Sequence, residues 1–149
     1  MSEIINVLTN PDSFFKKKMT ERIQFKMPAL IVVLNALMGA ISGYIMTKAI
    51  LSSAAVGGGF AGAGAIFGAV GGFLGVLIVW PIYTAVFYAL SALFGGEGSF
   101  KRSLEFVGYG YIPTVLNSIF GLYVINQLSS SLQAASANPA QMAQILSND

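Results

Sequence analysis

The side chains able to carry chemistry in this sequence are few and poorly placed for it. Asp12, Glu97 and Glu105 are acids standing alone at the edges of apolar runs, not a carboxylate pair spaced for acid–base work. Cysteine and histidine are absent, which removes thiol nucleophiles, disulfides, imidazole bases and most zinc sites. Serines and threonines occur without a base nearby in sequence to activate a hydroxyl. The expectation is therefore a non-enzymatic protein with no catalytic residue, no metal and no cofactor.

What remains is positive charge and small residues. Lys16, Lys17, Lys18, Arg22 and Lys26 precede the first apolar run, and Lys101 and Arg102 follow the second. With Tyr109 they form an expected cytosolic face for lipid headgroups or a protein partner, each basic residue near an anionic surface contributing about 1 kcal/mol. They follow topology and do not line a groove with interleaved aromatics, so no nucleic-acid partner is expected.

The elements that must position these residues are apolar. Hydrophobic residues make up 55% of the 149 and charged ones only 9%, the balance of an integral membrane protein. Residues 49–96 contain no charged side chain. That run is more than twice the roughly 20 residues a helix needs to cross a bilayer. The fold expected is all-α, with three transmembrane helices behind an N-terminal amphipathic interfacial helix.

Asn10, Pro11 and Asp12 read as a helix start, with a cap, a proline at the first position and an acid in the first turn. The interfacial helix is placed at 11–26, its apolar edge at Phe15, Met19 and Ile23, joined by Phe14 and the stem of Arg22. Span 1 is placed at 28–48. A connection at 51–55 leads to span 2 at 66–94, which an alternative boundary extends from 56. Pro81 should kink that span, with Thr84 or Tyr83 near enough to bond the freed carbonyl. A polar loop at 95–103 precedes span 3 at 105–128, in which Asn117 is a packing candidate. Residues 129–149 form a polar tail, with Asn138 and Pro139 as a weak cap.

Glycine placement gives the packing expectation. Gly64, Gly68 and Gly72 recur every four residues, Gly71 and Gly75 repeat the spacing one register over, and Gly39 and Gly43 do so in span 1. In lipid, where apolar surface gives helices no drive to associate, such faces act by close backbone approach. Packing within one chain is the first reading, and self-association into a homo-oligomer the second. Basic residues number five before span 1, one after it (Lys48), two after span 2 and none after span 3. The positive-inside rule then puts the N-terminus in the cytoplasm and the C-terminus outside.

The stretch Gly95, Gly96, Gly98, Ser99, Phe100, Lys101, followed by Gly108, Tyr109, Gly110, Tyr111 and Pro113, resembles the Yip family of small multi-pass membrane proteins, named for interaction with Ypt/Rab GTPases. The entry at Asn10, Pro11, Phe14 and Phe15 is similar as well. The resemblance implies a single Yip-like membrane domain over 1–149 acting in membrane organisation or trafficking, as a scaffold or adaptor. Two features of longer eukaryotic members are missing here, an acidic proline-rich arm and an Asp-Leu-Tyr-Gly-Pro motif, so a Rab-type GTPase is a doubtful partner. The family pattern has five spans, so a chain with three is expected to be either a divergent short member or one lacking the final pair. A plasma membrane location follows if the source is prokaryotic. The competing function is a small oligomeric pore or transport component assembled through the glycine faces, with Asn35, Ser42, Thr84 and Asn117 along its path.

Overall fold

Asn10 closes one helix and opens the next. Its amide donates to Asn6 O at 2.9 Å, its side-chain oxygen accepts from the Ser13 amide, and Pro11 takes the first position of the new helix. In this computed structural model residues 2–53 and 58–137 are described, with side chains over 3–52 and 59–131. The elements are α1 (Ser2–Thr9), α2 (Pro11–Thr20), α3 (Lys26–Ser53), α4 (Gly58–Leu93), α5 (Phe100–Gly110) and α6 (Ile112–Ala137), and the described residues contain no strand.

Two helices are long and apolar enough to cross a membrane, over Lys26–Ser52 and Gly59–Leu93. Thus α3 runs past Lys48, the expected end of span 1, to Ser53, and α4 begins at Gly58, well before residue 66 and near the alternative boundary at 56. The third expected span is not one helix. Ser99 caps α5 by accepting from the Arg102 amide at 3.3 Å, so Lys101 and Arg102 lie in a first helical turn and not in a loop. The chain breaks at Tyr111, where Pro113 supplies no amide to continue the ladder. Pro113, Asn117, Asn126 and Gln127 then interrupt the apolar character of α6, which falls short of the two spans above. Residues 54–57 of the first connection and 138–149 of the tail, with its expected Asn138–Pro139 cap, lie outside the described residues.

α4 stops where the glycines predict. Gly95 has φ 79° and donates to Ala92 O at 3.1 Å, while Gly96 donates to Ser91 O at 2.8 Å, the paired bonds of a left-handed helix terminus. Inside α4, the Thr84 hydroxyl donates to Trp80 O at 2.9 Å. It does not reach the Leu77 carbonyl that Pro81 frees by lacking an amide.

The chain divides into two units, Met1–Ala36 with Gly75–Asn117, and Leu37–Leu74 with Ser118–Asp149. In the first, Val7, Phe14, Ile31, Tyr109 and Ile112 form the core, with Phe14 meeting Tyr109 edge-on at 5.0 Å. Trp80 donates its indole N–H to Leu104 O at 3.1 Å, and Asn35 donates to Tyr111 O at 3.2 Å and to Thr114 Oγ1. A methyl at Gly108 would come within 2.6 Å of Pro28 Cβ, so the absent side chain is what lets α5 close on α3. In the second unit, α3 and α4 meet backbone to backbone. A Cβ on Gly43 would overlap the Gly68 carbonyl, one on Gly72 the Gly39 carbonyl, and one on Gly64 the Leu51 side chain.

Candidate functional site: a buried charge clamp

Four chain segments bring their charges together in the first unit. The α2 sequence Phe14-Phe15-Lys16-Lys17-Lys18 offers three consecutive lysines, but 3.6 residues per turn put only Lys18 below Phe14 on the face turned inward. Its side chain is 5% exposed, and its ammonium lies 3.0 Å from Glu3 of α1 and 3.2 Å from Glu21. It also sits 5.8 Å from the ring centres of both Phe14 and Tyr109. The Tyr109 hydroxyl in turn donates to Glu3 Oε2 at 3.3 Å.

A second pair completes the arrangement. Glu105 of α5 is fully buried, with Arg102 Nη1 at 2.6 Å and the Gln24 amide donating to its other oxygen at 3.1 Å. Arg102 also donates to the Glu21 carbonyl and places its guanidinium 5.8 Å from the Phe106 ring. Removing one member of such a buried pair costs about 3–5 kcal/mol, because the other is left charged and unpaired.

The electrostatics follow from this geometry. Burial by itself lowers the Lys18 pKa, but the hydrogen bonds to Glu3 and Glu21 and the neighbouring Tyr109 outweigh it and hold the ammonium above the ordinary lysine range. Burial pushes the Tyr109 phenol up; Lys18 opposes that, and Glu3 and Glu105 add to it. An open polar cavity of about 380 Å³ adjoins the clamp, lined by Glu3, Asn6, Asn10, Ser13, Lys17 and Glu21 among others. No group of three or more acids able to hold a metal occurs among the described residues. Bonded to one another across four segments, these charges fix the N-terminal helices on α5.

The sequence-derived face is thereby divided. Lys16, Lys17, Arg22, Lys26 and Lys101 are exposed, Lys16 pairing with Asp12 at 2.8 Å. Lys18, Arg102 and Tyr109 turn inward, each with bonding groups inside the unit. The apolar edge of α2 is likewise corrected. Phe14 is the buried residue, Met19 is 66% exposed, and Ile23 lies beyond the helix end. Among the packing glycines, Gly39, Gly43, Gly64, Gly68 and Gly72 make close approaches, whereas Gly71 and Gly75 face open space. Asn117 is exposed.

The motif residues have local tasks. Gly95 and Gly96 end α4, Ser99 caps α5, Phe100 meets Tyr88 edge-on at 5.9 Å, Gly108 admits Pro28, and Gly110 has open space beside it. Glu3, Glu21 and Glu105 were not legible as site residues. The i,i+4 placement of Phe14 and Lys18 is the available signal, but the ring both meet, Tyr109, is 95 and 91 residues away.

The Yip1 domain family matches residues 5–146. An uncharacterized protein of Methanocaldococcus jannaschii is 34% identical over 143 residues, covering 87% of this chain and 94% of the relative. No solved structure matches.

Proposed function

The chain belongs to the Yip1 domain family, and on that footing we propose that it is a non-enzymatic multi-pass membrane protein serving as a scaffold or adaptor in membrane organisation and trafficking. α6 makes the third crossing after α3 and α4. The N-terminus is cytoplasmic and the C-terminus lies on the far side, as the distribution of basic residues favours. A prokaryotic plasma membrane fits the archaeal relative.

The observation that carries this reading is the clamp. With Lys18, Arg102, Glu3 and Glu105 bonded to one another or to backbone, the N-terminal helices are fixed on α5, and Lys16, Lys17, Arg22, Lys26 and Lys101 are left exposed. A fixed array of exposed cations suits anionic lipid and an acidic cytosolic surface. The pore alternative has less support. Gly39, Gly43, Gly68 and Gly72, which would assemble copies, contact one another within a single chain, and Asn35 and Thr84 turn their polar atoms to backbone or to Thr114.

Photocrosslinking in living cells tests the reading, with the reactive side chain at Lys17 or Lys101 and a comparison position at Val124. A discrete protein adduct is expected from residues 17 and 101, weakened by Arg22→Gln with Lys26→Gln, and none from 124. Lipid and self adducts alone at 17 and 101 would contradict an adaptor role.

A further inference from the structure

α1 divides its surface by chemistry. Glu3 and Asn6 line the open polar cavity beside α2, and Val7 enters the core. Ile4 and Leu8, one turn apart, close an apolar recess of about 130 Å³ against Ile31 and Leu34 of α3 and Ile112 and Leu116 of α6. Ile5, beside them, is 57% exposed, and Leu8 is 47% exposed. No charge interrupts this flank, because the only charged side chain of α1 is Glu3, bonded to Lys18.

The level at which α1 meets α3 decides what covers the flank. Lys26 opens α3 and is exposed, and the contacts at Ile31 and Leu34 lie five and eight residues further in. At a rise of 1.5 Å per residue that is roughly 8–12 Å along the helix. A membrane-lying amphipathic helix buries its apolar face about 5–10 Å into the headgroup and acyl boundary. Leu30 and Leu34 of α3 and Leu116 of α6 are themselves 53%, 45% and 49% exposed, so the apolar surface runs on from α1 onto a helix built to cross the bilayer.

We infer that α1 is embedded in one leaflet, with Ile4, Ile5 and Leu8 against lipid acyl chains and the cavity of Asn6, Ser13 and Lys17 open to water. The interfacial element is then α1, inserted beside α3, where the sequence pattern placed it in α2. Its polar side is held down by Glu3, so the clamp also fixes how α1 meets the lipid. The inference rests on α3 crossing the membrane, and the experiment separates the two.

A chain without cysteine accepts single labels cleanly. An environment-sensitive fluorophore is placed on Ile5→Cys, Leu8→Cys, Ser13→Cys or Leu37→Cys of the full chain in phosphatidylcholine–phosphatidylglycerol vesicles. Quenching is read from nitroxide on the lipid acyl chain and from aqueous iodide. Labels at 5 and 8 should lose most of their fluorescence to the lipid nitroxide and almost none to iodide, as should Leu37→Cys, with Ser13→Cys doing the reverse. Iodide quenching at 5 and 8, or shielding from both quenchers as a covering protein surface would give, overturns the inference while a lipid-quenched Leu37→Cys keeps α3 in the bilayer. Failure at Leu37→Cys as well would overturn both.

Discussion

The two units hold themselves together by opposite means. In the first, aromatic rings and a fully bonded set of charges join segments far apart in sequence, with Glu105 bridging to Gln24 and Lys18 to Glu3. In the second, α3 meets α4 through missing side chains, Gly43 on Gly68 and Gly39 on Gly72. A charge clamp is sensitive to protonation and to the loss of one partner. A glycine contact is sensitive only to added volume.

The largest effect that separates them should come from Glu105→Ala. It strands Arg102 and the Gln24 amide and is expected to cost the first unit about 3–5 kcal/mol. The single tryptophan, Trp80, bonds to Leu104 O in that unit. A red shift of its emission at lower denaturant or temperature reports the loss. Gly68→Leu comes next. It forces bulk against the Gly43 carbonyl and Thr47, and overpacking of this kind costs about 1–3 kcal/mol. Gly71→Leu, facing open space, should stay within about 0.5 kcal/mol. Thermal stability in detergent measures both, and equal effects from the two glycines would remove the distinction between them.

Alkaline pH should act on the clamp and not on the glycine contact. The Lys18 pKa is higher in the fold, so its contribution is complete below about 10.4, the ordinary lysine value, and is lost as pH rises through the folded value. Tyr109 adds in the same direction, because its raised pKa means the fold prefers the neutral phenol. Trp80 emission should be flat from neutrality to about pH 10 and shift above it, while the glycine contact, having no ionisable group, gives no such step. Within the clamp, the smallest effect is that of Tyr109→Phe. It keeps the ring packed on Phe14 and removes only a 3.3 Å hydrogen bond, for about 0.5–1.5 kcal/mol in the same unfolding assay.

The second unit was the more legible in sequence. Glycines four apart have one strong use in an apolar helix, and their partners at Gly39 and Gly43 announced themselves by the same spacing. Helix starts and stops at Asn10 and Gly95 were equally local signals, as was the length of the two spans. The clamp was not local. Three adjacent lysines look alike, Lys17 as well as Lys18 pairs with Glu21, and it is Glu3 and Tyr109 that distinguish Lys18. Arg102 passed for a topology signal because nothing near it in sequence shows that Glu105 would be buried. The break at Tyr111 was missed for a related reason, since Val107, Tyr109, Tyr111 and Ile112 continue the apolar run across it.

The most direct test of the clamp is the exchange rate of one amide. Gln24 lies in the non-helical segment between α2 and α3, and its N–H donates to Glu105 across 81 positions of sequence. Hydrogen exchange of the protein in nanodiscs should find that amide protected, should find the protection gone in Glu105→Ala, and should find the amides around Gly68 unchanged by the substitution. A Gln24 amide that exchanges in the wild-type protein as fast as an unstructured one would contradict the account.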